Sequence, residues 1–519
     1  MPIRPTFYGF EMARTALSAS QKNIDITGQN ISNINTLGYS RQRVNMSAVG
    51  AGGINWKYAI HPSQNVGLGV NVDSIQRIRD QFLDARFRNE LSDNSRLSIK
   101  LDVLGYVESN IDEFVGESGT LYNIMLDFDK ALQDLNTNNT SEAEFMSMTR
   151  SAAEKLVNTS RTIANRIDVI KSDAYEQLKF VKDEVNRIAQ ALEDINIEIV
   201  NQYILGAVSN EILDQRDLLL DQLAAYGDVT TRPALDSDGN ATGGLNVYFG
   251  VFDESDPIPS LLVSGERVYH ATFEISEKGE EPVRLIWSPE SENSGDFILT
   301  SGEIFAYYEM LNGVGDVSQN GNPEMADHAS KGVPYFINML NIFISEFAAI
   351  FNELNEGSET GDLFSANDKS GVITAMNITI SEQWQKDPQF LLKTLDSGGT
   401  PGASRNDNIL RMIHAIKEPR EFVDDSSGTV YTGSFLEYLG SVNTEMALEI
   451  SYNQRRKDTS DINLLSIDMY RASIMDVDSD EEAANLIRFQ KSYNAAARFM
   501  TTLDEMLDLI VNRLGIVGR

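Results

Sequence analysis

The chain contains no cysteine. Disulfides, thiolate nucleophiles and cysteine-based metal sites are therefore excluded, and the redox compartment leaves no mark on it. Histidine is almost as scarce. Its four copies, His61, His270, His328 and His414, share no metal-ligand spacing. Basic residues number 43 against 77 acidic ones, and the net charge of -34 argues against nucleic acid or an anionic membrane as partner. The deficit is uneven. Residues 1–100 hold 12 Lys+Arg and 7 Asp+Glu, a basic front on an acidic body that suits stacked subunits and ordinary solvated faces about equally. No apolar run approaches the ~18 residues of a membrane span. The start, Met1-Pro-Ile-Arg-Pro-Thr-Phe-Tyr-Gly-Phe, lacks a continuous apolar core and a small-residue cleavage site. This implies a cytosolic chain, or export without a cleaved signal.

Catalytic motifs are missing too. There is no G-x-x-x-x-G-K-[ST], no G-x-S-x-G and no H-E-x-x-H. Asp236-Ser-Asp-Gly-Asn opens like a calcium loop, but Ala241 stands at the sixth position and Val247 at the twelfth. It reads as a turn. Asp476-Val-Asp-Ser-Asp fails the same test at Glu481 and Ile487 and reads as the acidic approach to a helix. No catalytic, cofactor-binding or metal-binding residue emerges, and no cofactor is expected.

What is present is helical periodicity, strongest at the two ends. In the last forty residues Leu486, Phe489, Tyr493, Ala496, Met500, Leu503, Leu507, Ile510, Leu514 and Val517 alternate spacings of three and four. That is the seam of a helix lying along another helix. Ser479 and Glu482 predict a capping box at its start. Near the other end Phe10, Ala13, Leu17, Ser20, Ile24, Thr27, Ile31 and Ile34 repeat the spacing with smaller side chains. A narrow stripe against a bulky one predicts a coiled coil between the chain ends. Gly38 supplies a helix stop.

Between the ends the pattern is mostly helical. Residues 41–72 read as irregular and partly extended, and 73–114 as helix. A helix is expected over Leu121–Leu135. Residues 143–205 contain neither Pro nor Gly, and Ser160, Ile167, Ala174, Val181, Ile188 and Ile195 recur every seven. So long a helix, roughly 90 Å, fits a rod rather than a compact domain. Ser209–Tyr226 reads as a shorter helix stopped by Gly227. Strand-like runs follow at Leu245–Phe252, Ser260–Val263, Val268–Ile275 and Val283–Trp287. Helical pattern returns at Tyr335–Leu354. A last long helix spans about 433–475, with Leu436, Leu439, Val442, Met446, Ile450, Ile462, Leu465 and Met469 apolar. The expected fold is mainly α with an inserted β-rich domain. Residues 1–46 and 476–519 form a terminal coiled-coil domain, 47–227 and 331–475 a helical rod, and 228–330 a β-rich insert looped outward from a nested plan.

Gln29-Asn-Ile-Ser-Asn-Ile-Asn-Thr-Leu-Gly-Tyr-Ser-Arg-Gln42 resembles the N-terminal signature of the flagellar axial proteins, the rod, hook and hook-associated family. Asp480-Glu-Glu-Ala-Ala-Asn-Leu-Ile-Arg-Phe-Gln-Lys-Ser-Tyr-Asn494 is similar to the ends of hook-associated members more than to the hook itself, and Asn210-Glu-Ile-Leu-Asp-Gln-Arg-Asp-Leu-Leu-Leu-Asp221 resembles a helix of those members. The resemblance implies a non-enzymatic subunit of the ring between hook and filament, exported by the flagellar type III apparatus. The implied partners are further copies of itself, the hook protein, hook-associated protein 3 and a flagellar export chaperone. The expected assembly interface is Phe10, Leu17, Ile24, Ile31 and Ile34 with Leu486, Phe489, Tyr493, Met500, Leu503, Leu507, Ile510 and Leu514. The chaperone is expected on Leu486, Tyr493, Met500 and Leu507. A neighbouring axial protein, an adhesive insert and a cytosolic coiled-coil scaffold stay open at this point.

Overall fold

The computed structural model describes residues 7–49, 69–115, 120–137, 142–251, 261–265, 269–279, 282–288, 298–315, 330–355, 361–368, 370–394, 406–424 and 428–513. The fold is mainly helical, with small antiparallel sheets at intervals. Helix α1 (Phe7–Ser32) runs into a hairpin of β1 (Gln42–Val49) and β2 (Gly69–Arg77), paired from Gln42↔Arg77 to Val49↔Gly69. Helices α2 (Gln81–Val115), α3 (Thr120–Thr137), α4 (Glu142–Ile204) and α5 (Asn210–Tyr226) follow.

One expectation fails here. Residues 73–77 are strand, not the first turn of a helix. Val70, Val72 and Ile75 are out of step for a plain strand, and the break falls at a bulge opposite Asn45/Met46 that leaves Asp73 unpaired. The helix waits for Asp80, whose carboxylate accepts the Phe82 N–H at 2.9 Å.

Helix α4 is 63 residues long, about 95 Å at 1.5 Å per residue. Its heptad faces inward: Ser160, Ile167, Ala174, Val181 and Ile188 are buried. Strands β3 (Val229–Leu235), β4 (Ala241–Phe249) and β5 (Leu261–Val263) form one sheet, and β6 (Thr272–Ile275) with β7 (Leu285–Ser288) another. These strands lie along α4. Asn196 Nδ2 donates to Leu245 O at 2.8 Å, Asn186 Nδ2 to Phe273 O at 3.1 Å, and Lys182 pairs with Glu274 at 3.0 Å. Phe249, Leu262 and Phe273 share one buried cluster with α4. The expected looped-out insert is therefore packed onto the rod over its described residues. Sheets of two and three strands have no second layer of their own, so they bury their apolar sides on the nearest helix.

Helices α6 (Gly302–Asn312) and α7 (Val333–Asn355) come next, then β8 (Phe364–Ala366) paired with β9 (Ile378–Ile380), α8 (Glu382–Lys386), α9 (Asp407–Lys417) and the hairpin β10 (Arg420–Asp424)–β11 (Gly428–Gly433). Helix α10 (Phe435–Met475) starts at a capping box of Ser434 and Glu437. Helix α11 (Ser479–Asp508) is the last α-helix among the described residues and widens into a π-helical turn at Leu509–Arg513.

Among the described residues α7 is the one helix long and apolar enough to cross a membrane. Its apolar face is instead the centre of the core. Phe347 packs on Phe351 at 4.6 Å between ring centroids, on Phe364 at 5.2 Å, on Phe128 at 5.7 Å and on Phe435 at 5.8 Å. Tyr438 donates its hydroxyl to Met339 O at 2.9 Å, so its polar atom is satisfied inside. Replacing Phe347 by Ala removes the shared ring of this cluster. Denaturant titration of the purified variant is expected to show a loss of about 3–5 kcal/mol; a loss below about 1 kcal/mol would place the core elsewhere.

Candidate assembly interface

The chain ends meet. Helices α1 and α11 pack antiparallel, with Gly9 beside Leu503 and Ser20 Oγ 3.3 Å from Ser492 Oγ. A Cβ on Gly9 would come within 2.9 Å of Leu503 Cδ1, so the glycine lets the helices approach closely there. At the far end Arg41 Nη2 pairs with Glu481 at 2.7 Å and Glu482 at 2.8 Å, and Arg41 N–H donates to Met475 O at 2.8 Å. These contacts change the expected cap. The N-cap of α11 is Asp478, whose Oδ1 accepts from Asp480 N at 2.8 Å and Glu481 N at 3.0 Å. Glu482 is free to be the buried partner of Arg41 because Asp478 already satisfies the first turn.

The other side of α1 sits on the β1–β2 hairpin. Asn30 is fully buried. Its Oδ1 accepts from Tyr39 Oη at 2.9 Å and Gln42 N at 3.0 Å, and its Nδ2 donates to Gln42 O at 3.0 Å. Gly38, at φ 78°, makes the reversal that returns the chain to this knot. Burial raises the Tyr39 hydroxyl pKa, with Asp214, Glu211 and Glu482 adding to it.

The sequence-predicted residues divide accordingly. On α1 the seam positions Ala13, Ser20 and Thr27 are buried, while Phe10, Leu17, Ile24 and Ile31 are half-buried. Ile34 lies beyond the helix end and is exposed. On α11 Leu486, Phe489, Met500, Leu503 and Leu507 are half-buried, whereas Tyr493, and Ile510 in the π-helical turn beyond it, are exposed. Leu514 lies outside the described residues. Glu482 is the one fully buried side chain among those described on α11. The narrow partner covers one flank of the bulky seam and leaves the rest in water. Ile487, Phe499, Met506 and Leu509 add to that apolar exposure.

Sequence reasoning missed what ties this pair to the rod. Asp214, Asp217 and Asp221 recur along one face of α5 and meet arginines from three other segments. Arg77 Nη1 lies 2.8 Å from Asp214 Oδ1 and 2.9 Å from Asp217 Oδ2. Arg79 Nε lies 2.6 Å from Asp84, Arg88 Nε 2.7 Å from Asp221, and Arg471 Nε 2.7 Å from Asp84. Arg216 reaches Asp217 at 2.9 Å, and Ser40 N–H donates to Asp214 at 3.1 Å. Five arginines and four aspartates thus join β2, α2, α5 and α10. The available signal was the i, i+3, i+7 spacing of the three aspartates.

No group of acids and histidines among the described residues can hold a metal ion. His270 pairs with Glu193 at 2.7 Å and His414 is exposed near Glu418; His61 and His328 lie outside the described residues. Asp236 caps its own turn, accepting from Asp238 N and Asn240 N.

Residues 109–362 match the family model described as the flagellar hook-associated protein FlgK helical domain. Residues 10–39 match the flagella basal body rod protein model, and 473–514 the C-terminal model of flagellar basal body rod FlgEFG proteins. The flagellar hook-associated protein 1 of Bacillus subtilis is 28% identical over 531 residues, 99% of each chain. That of Escherichia coli is 29% identical over 225 residues, 41% of this chain and 37% of the other. A solved structure, of the flagellar hook junction protein FlgK from Burkholderia pseudomallei, shares the fold with TM-score 0.56 at 9% identity, over 75% of this chain and 100% of that one. Paired terminal helices on a helical body, matched at both ends by axial models, define a structural axial protein of the bacterial flagellum. Over its whole length the chain is similar to flagellar hook-associated protein 1.

The charge network sets a pH dependence. Burial pushes the Asp217 carboxyl up, but Arg216, Arg79, Arg77 and Arg88 together outweigh it and hold the pKa at about 2, below the usual 3.8. A depressed carboxylate pKa stabilises the fold above the unfolded value and stops doing so as pH falls through the folded one. Asp217 is expected to contribute roughly 2 kcal/mol that is lost between about pH 4 and pH 2. Asp217→Asn should flatten that acid limb and lower stability at neutral pH; an unchanged acid limb would mean the network does not hold the carboxylate.

Proposed function

We propose that this chain forms the junction between hook and filament, as a homo-oligomeric ring with hook protein below and hook-associated protein 3 above. The observation that carries this reading is the half-covered seam of α11. An apolar stripe of such length, left partly in water, calls for a further partner. Neighbouring copies supply one, each burying what the others expose, and helical or ring symmetry repeats the contact. Residues 1–46 with 476–519 act as the assembly domain, 47–227 with 331–475 as the rod, and 228–330 as the β-rich part laid along that rod.

Before export the same seam needs cover. A flagellar export chaperone bound at Leu486, Tyr493, Met500 and Leu507 keeps the chain from associating in the cytoplasm. The absence of cysteine suits passage through a narrow channel, since no cross-link has to be undone. The chain carries no catalysis in this reading; its chemistry is adhesion between subunits.

Deleting residues 480–519 is expected to leave cells with hooks but no filaments, and with flagellin lost to the medium. Normal filaments on such cells, seen by electron microscopy, would refute the junction role. Changing Leu486, Tyr493 and Met500 together to Asp is expected to weaken both chaperone binding and assembly. Unchanged chaperone affinity in a pull-down titration would separate the two surfaces.

A further inference from the structure

The second half of α10 carries a row of large apolar residues on its outward side. Between Met446 and Met475 its fully buried side chains are Asn453, Ser460 and Arg471, all polar. They face polar partners. Ser460 donates to Glu90 at 2.8 Å, Asn94 Nδ2 to Asp461 at 2.6 Å, and Arg471 pairs with Asp84. The opposite face presents Leu448, Tyr452, Arg455, Thr459, Ile462, Ser466 and Met469, spaced alternately by four and three. Leu465 flanks it. Leu448, Ile462, Leu465 and Met469 are 58, 69, 61 and 65% exposed. Ile450, Leu464 and Ile467 are half-buried on the covered side, so α10 has apolar residues on both faces, and the outer set is left for a second contact.

A complementary stripe exists on the same molecule. Along α4, Val169, Asp173, Glu176, Phe180 and Asp183 repeat the same four–three spacing, and all are exposed. Val169 and Phe180 bracket the acids Asp173 and Glu176. Tyr452 and Ile462 bracket the cation Arg455, while Arg456 stacks 6.0 Å over the Tyr452 ring. The two brackets are about 15–17 Å long, so their apolar ends match in register when the charges meet. Glu176 also lies 3.5 Å from Lys278. That pair is exposed at the surface, where ion pairs exchange at little cost. Both stripes face outward on the chain, so a contact between them would join two copies.

We propose that the exposed face of α10, from Leu448 to Met469, is a lateral interface that binds the Val169–Asp183 face of α4 on a second copy. It rests on the assembly reading of the terminal helices and extends it to the rod. Through the Asp476–Asp478 turn the α10 stripe leads directly into α11, so copies held along one are held along the other. Because the two faces differ, the contact is heterologous, and it closes a ring or continues a helix according to the angle between copies.

The test uses a photo-cross-linking amino acid at Leu465, at Tyr452 and, separately, at Tyr493 in the sole copy of the chain in motile cells. Isolated flagella are irradiated and adducts mapped by mass spectrometry. The proposal expects Leu465 and Tyr452 adducts at twice the chain's mass, joined to α4 near Phe180. Adducts to hook or filament protein, to another part of a second copy, or no adduct while Tyr493 cross-links, overturn the α10 interface and leave the terminal one standing. No adduct from any of the three positions overturns both. As a second readout, Ile462→Glu with Leu465→Glu is expected to abolish the dimeric adduct formed by a probe at Phe180, with the melting temperature of the purified chain unchanged. Retention of that adduct contradicts the proposal.

Discussion

The antiparallel contact between α1 and α11 is the constraint on which the rest depends. It brings together two helices that stand more than 440 residues apart in the sequence. Neither helix is stable alone: amphipathic helices of this length are marginal in water without a partner. Their mutual cover is also incomplete, because α1 offers Ala13, Ala19, Ser20 and Thr27 where α11 offers Leu, Phe and Met. A small-residue stripe permits close approach, as Gly9 does against Leu503, but cannot wrap a bulky one. The same mismatch makes the pair form and leaves it adhesive.

A pair so exposed needs an anchor, and the charges supply it. Arg41 reaches across to Glu481 and Glu482, Asn30 knots the chain behind α1, and the arginine–aspartate network behind them fixes β2, α2, α5 and α10 relative to one another. Ion pairs of this kind add little net stability when both charges must be desolvated, yet removing one partner is costly. Their effect is directional. Guanidinium forks accept few geometries, so they set how the terminal pair leaves the rod. An assembling subunit needs that orientation, since small angular errors accumulate along a ring or helix.

Much of this was legible in the residues. The Pro- and Gly-free stretch gives α4 almost to the residue, Gly227 ends α5, and the heptad at the C-terminus is α11. Local signals fixed them, and local signals survive folding. The flaws arise where tertiary partners decide. Strand β2 hides behind a bulge at Asp73 that shifts its alternation, and the cap of α11 moves to Asp478 once Arg41 claims Glu482. The charge network was invisible as a unit, because Arg77, Asp84, Asp217 and Arg471 become neighbours only when four elements meet. Of the interface residues, the heptad located α11 well, but not which flank α1 would cover. Ile34 falls outside α1 for a plainer reason: the helix ends at Ser32.

The central claim is that the uncovered flank of α11 becomes covered on assembly. A chain without cysteine makes this directly measurable, since Tyr493→Cys introduces the one thiol in it. The rate of maleimide labelling at that thiol is compared between the purified chain and isolated flagella containing it. The account predicts rapid labelling in the free chain, where position 493 is exposed, and protection in the flagellum. Equal rates in the two states would contradict it, because the seam would then remain in water after assembly.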